Sequence, residues 1–215
     1  MEKWNSRDVG YVCGSIYGGG HIIENKKYGN YAVLFETKNK QLADVFLERL
    51  NVFSKKKGKI HVKKRLSSKT SRRSFVATLY SKDDVKMLRL LGVVKNKNTL
   101  PKICYNNEEF LLFFIRGFFD SKATVRERVV SGKKRVSIRV FFVKERVLRE
   151  LKGLLEKMGI RGIVYKSGKC YCLDIEGRAK IKRFMDAIGF DNIEKRKRIE
   201  NVIGYSNVIG YEENM

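Results

Sequence analysis

Two periods of apolar residues alternate along this chain. Leu42, Phe46, Leu50 and Phe53 recur at spacings of four, four and three, the stripe of an amphipathic helix. Val147, Leu151, Leu155 and Met158 repeat that stripe at a constant offset in the second half. Between such stripes, the apolar run 31–37 reads as a strand, and apolar and polar residues alternate over 60–66, 74–80 and 135–143, which predicts half-buried strands. Two further stretches, 12–20 and 115–123, are apolar but carry an internal glycine, Gly14 and Gly117. A mid-helix glycine costs about 1 kcal/mol relative to alanine, so close helix-to-helix approach at these two residues is expected. Each stretch runs directly into a strand, 20–24 and 124–129.

The same order of elements appears twice. In the first half a helix ending near Gly18 is followed by strands 20–24 and 31–37 around a turn at 26–30. The striped helix, a hairpin of 60–66 with 74–80, and a short helix 82–91 capped by Gly92 complete it. In the second half, helix 109–119 precedes a hairpin of 124–129 with 135–143, helix 144–158, a hairpin of 162–166 with 171–175, and a helix closing at Gly189. An added helix is predicted over 194–205. Each half therefore reads helix-strand-strand-helix-strand-strand-helix, an α+β fold of two pseudo-symmetric repeats with antiparallel sheets. The expected units are 1–94 and 108–215, joined by a linker 95–107 that holds the only proline, Pro101.

Charge narrows the partner. Forty-seven Lys and Arg against 23 Asp and Glu give +24 at pH 7, and a polyanion is the natural ligand. No stretch approaches 18 uninterrupted apolar residues and residues 1–5 lack the apolar core of a signal peptide. An intracellular protein is expected, cytoplasmic and nucleoid-associated, with no membrane partner. Cys13, Cys104, Cys170 and Cys172 form no zinc pattern, because nothing beside the Cys170/Cys172 pair completes four ligands. His21 and His61 lie in no recognisable nucleophile motif.

The duplicated segments Val12-Cys13-Gly14-Ser15-Ile16-Tyr17-Gly18-Gly19-Gly20 and Ile115-Arg116-Gly117-Phe118-Phe119-Asp120-Ser121-Lys122-Ala123 resemble the motif of the LAGLIDADG homing endonucleases, in the form with two motifs in one chain. The resemblance implies two motif helices packed at a pseudo-two-fold axis, with an acidic residue at the eighth motif position of each binding catalytic Mg²⁺. Aligned on Gly14 and Gly117, those positions hold Gly19 and Lys122. Neither supplies a carboxylate, and Lys122 places an ammonium where a divalent cation would sit. The expectation is a degenerate site with no catalytic residue, metal or cofactor, Mg²⁺ entering only if the chain is an active endonuclease after all. Asp120 does not substitute, since two residues along a helix rotate its side chain about 200° from Lys122. It is expected to be solvated or locally hydrogen-bonded.

Strand parity then predicts how DNA would be held. Arg135, Ser137 and Arg139 share one face of their strand, as do Lys59, His61, Lys63 and Arg65, and Thr124, Arg126 and Arg128. A two-stranded ribbon fits the major groove, so base reading is assigned to Lys63, Arg65, Arg126, Arg128, Arg135 and Arg139 on sheets forming a saddle. Phosphate contacts are assigned to the hairpin tips, Lys69, Arg72 and Arg73 in one repeat and Lys133 and Lys134 in the other. The expected protein is a monomer that binds double-stranded DNA selectively without cleaving it. The alternatives are a site-specific homing endonuclease and an intron maturase bound to structured RNA; the absence of evident aromatic platforms for unpaired bases weighs toward duplex DNA.

Overall fold

A computed structural model describes residues 5–66, 71–93 and 97–204. Its first half consists of α1 (Ser6–Gly18), β1 (His21–Asn25), β2 (Asn30–Thr37), α2 (Lys40–Phe53), β3 (Lys59–Leu66), β4 (Ser71–Tyr80) and α3 (Lys82–Leu90). The second half repeats the order with α4 (Glu108–Lys122), β5 (Ala123–Val130), β6 (Lys133–Phe142), α5 (Glu145–Lys157), β7 (Ile163–Ser167), β8 (Cys170–Glu176) and α6 (Arg178–Ala187), and adds α7 (Ile193–Ile203). Each half holds one antiparallel four-stranded sheet, ordered β1-β2-β4-β3 and β5-β6-β8-β7. The α+β two-repeat architecture expected from the sequence is the one observed.

Local chemistry explains where the helices begin. Asn5, Asn39, Asn107 and Asn192 each turn a side-chain oxygen onto a backbone N–H of the first turn, and Ser81 does the same for α3. Glu108 and Glu109 add negative charge where the α4 dipole is positive. α7 ends at Gly204 in the left-handed region, where a side chain would be strained.

One apolar core runs through both halves. At its centre α1 and α4 lie parallel and in backbone contact. Gly10, Gly14 and Gly18 line one face of α1, against the α4 backbone at Phe110, Phe114 and Phe118. A Cβ on Gly14 would overlap the Phe114 carbonyl oxygen and stand 2.9 Å from the Phe118 nitrogen; one on Gly117 would overlap the Tyr11 carbonyl oxygen and stand 2.9 Å from Ser15 Oγ. The three phenylalanine rings stack along α4 with centroids 6.2 and 6.4 Å apart.

The connection between the halves is not bare linker. Lys102–Tyr105 forms a 3-10 turn begun by Pro101, Leu100 and Cys104 are buried, and the Tyr17 hydroxyl donates to the Thr99 carbonyl.

Candidate nucleic-acid interface

Most of the charge lies on the face of each sheet turned away from the core, and the rest on the ends of the two longest hairpins. In the second half, cross-strand register places Arg128 opposite Arg135, Arg126 opposite Ser137, and Thr124 opposite Arg139. Arg126, Arg128 and Arg135 are exposed. In the first half Arg65 pairs with Arg72, Lys64 with Arg73 and Lys63 with Ser74. Like charges placed directly opposite one another repel.

Three acids sit among these cations, and parity arguments confined to the basic rows passed over them. Asp174, nine-tenths buried, accepts from Arg139 Nε at 2.7 Å. Glu176 pairs with Arg128, and Glu36 pairs with Lys63 at 3.3 Å while accepting from Ser74 Oγ at 2.7 Å. Arg139 is therefore anchored, whereas Arg126 and Arg135 project freely enough to be exposed. Asp174 and Glu176 alternate with the buried Leu173 and Ile175, so strand parity alone could have found them.

The hairpin tips differ from expectation. Arg72 and Arg73 belong to β4, and Lys133 and Lys134 to β6, rather than to loops. The β5–β6 turn is only Ser131-Gly132, both at positive φ, the two-residue geometry that matches strand twist. Lys69 lies outside the described residues. Both ribbons overhang the core: Val62 is 53% exposed and Val129 68% exposed although their parity faces inward, and Lys64 and Arg73 are exposed on that same face. A further correction concerns aromatic surface. Phe141, Cys172 and Tyr165 are cross-strand neighbours on the outer face of the second sheet, and the two rings are 38% and 39% exposed.

The expected eighth motif positions, Gly19 and Lys122, lie at the C-terminal ends of α1 and α4. A Cβ on Gly19 would meet only Phe35 at 3.7 Å and Ser121 at 3.8 Å, ordinary contacts. Two lysines outside the motifs converge here. Lys97 Nζ donates to the carbonyls of Ile16, Tyr17 and Gly20 at 2.6, 3.1 and 3.2 Å. Lys195 Nζ donates to those of Phe119 and Asp120 at 3.0 and 2.6 Å. Burial lowers both amines to about 8, with Lys122 adding to the effect on Lys97 and Asp120 and Glu194 opposing it on Lys195.

Asp120 overturns its expectation as a solvated or locally bonded group. It is 1% exposed, and its carboxylate accepts from the Tyr11 hydroxyl and from the backbone N–H groups of Asp191 and Asn192, each at 3.0 Å. Burial, then the charge of Asp191, raises it to about 6 against the pull of those N–H groups and Lys195. Beside it, Arg49 bridges Asp8 at 3.0 Å and Asp191 at 2.6 Å, and Arg116 reaches Asp191 at 3.4 Å. This network ties α1, α2 and α4 to the turn before α7. Among the described residues no cluster of three His, Cys, Asp or Glu side chains is arranged to hold a metal, and no helix is long and apolar enough to cross a membrane.

Paired parallel helices in backbone contact, flanked by two equivalent sheets, form an architecture that solved homing endonucleases share. Residues 109–189, most of the second half, match the family model of the LAGLIDADG-like domain. The homing endonuclease I-DmoI, solved with DNA and Mn, shares the fold with a TM-score of 0.61 at 19% identity, over 86% of this chain and 97% of that one. I-WcaI, solved on its DNA recognition sequence, gives 0.64 at 14% identity over 95% and 90%. Full-length DUF199/WhiA from Thermotoga maritima gives 0.61 at 15% identity, over 98% of this chain but 64% of that one. No curated protein matches the sequence.

Proposed function

We propose that this protein binds double-stranded DNA selectively, as a monomer, along the outer faces of its two sheets, and that it does not cleave. The observation that carries the reading is the pair of overhanging basic ribbons, β3–β4 and β5–β6, whose cations stand opposite one another across the strands. Such ribbons fit the major groove, where exposed arginines such as Arg126 and Arg135 reach guanine O6 and N7. The fold shared with two proteins solved on DNA supports the same partner. Want of a carboxylate at Gly19 and Lys122 supports the second clause, because a hard divalent cation requires oxygen ligands.

A second reading has its own observation. Phe141 and Tyr165 offer rings on which unpaired bases could stack, as expected of a protein that holds structured RNA. Selection of bound duplexes from a random pool in Mg²⁺, with bound and cut molecules sequenced separately, tests the reading. An enriched, uncut duplex motif is the expected result. Metal-dependent cleavage by the unmodified chain, or enrichment only from an RNA pool, overturns it.

A further inference from the structure

The two motif helices run parallel, so the negative ends of both dipoles and their unpaired carbonyls converge at one place. Positive charge is favoured there. In this chain the cations are internal. Lys97 and Lys195 reach the ends of α1 and α4 from the segments that follow α3 and α6, and their acceptors correspond: Ile16 matches Phe119 and Tyr17 matches Asp120 at the spacing that separates Gly14 from Gly117. We propose that the cation positions at the feet of both helices are filled by these lysine ammonium groups, and that the protein takes up no divalent metal there.

The donor set argues the same way. Lys97 spends its three N–H groups on three carbonyls, two of which, Tyr17 and Gly20, lie within two residues of Gly19. A metal ion would have to displace the amine from those oxygens or share them at a separation where two positive charges repel strongly. Lys122 adds a further positive charge beside it. The one carboxylate at the end of α4, Asp120, already accepts three hydrogen bonds. Both feet are thus built for an ammonium and against Mg²⁺. The consequence is specific: restoring acids at the eighth positions is insufficient, because Lys97 still occupies the first site.

The test reads metal binding without DNA, so its outcome is separate from whether a duplex is the ligand. Mn²⁺ titration of the unmodified full chain, followed by the resonance of the free aquo ion, is expected to show no stoichiometric uptake. The variant Gly19→Asp with Lys122→Glu is then compared with the same variant also carrying Lys97→Met. Removal of Lys97 is expected to tighten Mn²⁺ binding at least about tenfold, the change that about 1.4 kcal/mol produces. Lys97→Gln, which removes the charge but keeps a donor for the carbonyls, serves in the same comparison if the methionine variant does not fold. Stoichiometric Mn²⁺ uptake by the unmodified chain overturns the proposal, as does equal affinity with and without Lys97.

Discussion

The two halves agree inside and differ outside. Sheet order is identical, and both motif helices end under a lysine cap. On the surface the long hairpin changes place. In the first half β1 and β2 have 5 and 8 residues while β3 and β4 have 8 and 10; in the second, β5 and β6 have 8 and 10 while β7 and β8 have 5 and 7. Charge follows length. The basic overhang is the second hairpin of one repeat and the first hairpin of the other. Packing constrains both copies of a duplicated unit equally, whereas solvent leaves each surface free to diverge. On the proposed reading, a duplex held by such a pair would present two different half-sites.

The sharpest way to break the comparison is at the shared core. Neither Gly14 nor Gly117 has room for a Cβ, since the obstacle at both is backbone. Gly14→Leu and Gly117→Leu should each cost about 3 kcal/mol or more, the upper end for overpacking. Gly19→Ala, with only ordinary contacts, should melt like the parent. Thermal melts of the three variants check this, and parental melting of both leucine variants would refute helix contact as the common element.

The outer difference is next in size. Affinity for a duplex should fall with salt with a log–log slope steeper than about −5, reflecting about six phosphate contacts at roughly 0.9 each. Replacing Lys64 and Arg73 by alanine in one overhang, or Lys134 in the other, should flatten the slope by about 0.9 for each phosphate no longer neutralised. A salt-independent affinity would dismiss nucleic acid as the partner of either half.

Asp120 has no acidic counterpart in the first repeat, where Tyr17 stands at its position. Its folded pKa of about 6 lies above the ordinary 3.8. The folded protein therefore retains that proton while the unfolded chain releases it, and the site's contribution weakens as pH rises through 6. Relative to Asp120→Asn, the native chain should gain on the order of 1–3 kcal/mol between about pH 7 and pH 4. Denaturant titrations of both proteins at the two pH values measure this. A difference that does not change with pH would mean that Asp120 titrates as an exposed acid.

The smallest effect concerns base preference within the second half. Arg126→Ala should relax selection at one or two base pairs, by about 1–3 kcal/mol, while Lys134→Ala weakens all sequences alike. Competition binding against single-substituted duplexes separates the two. Uniform weakening by Arg126→Ala would reassign it to the phosphates.

The order of elements was legible because helical and strand periods differ and recur in both halves. The hairpin tips were misread for a definite reason: alternation stops where a ribbon leaves the core, since both faces are then wet. Helix rotation sets Asp120 apart from Lys122, but what Asp120 meets, Tyr11 and the turn at Asp191, is encoded by no local pattern. Lys97 and Lys195 were invisible for a similar reason. They sit outside any stripe and act on carbonyls, which leave no mark on the choice of residue.

The glycine face of α1 also sets a length. Because Gly10, Gly14 and Gly18 bring backbone against backbone, the separation of the two sheets has a hard stop that no side-chain repacking can shorten. The molecule is in that sense a fixed gauge. On the proposed reading, the charged ribbons are free to change which bases they prefer, but the stretch of duplex between the two sets of contacts would be built into the helix pair.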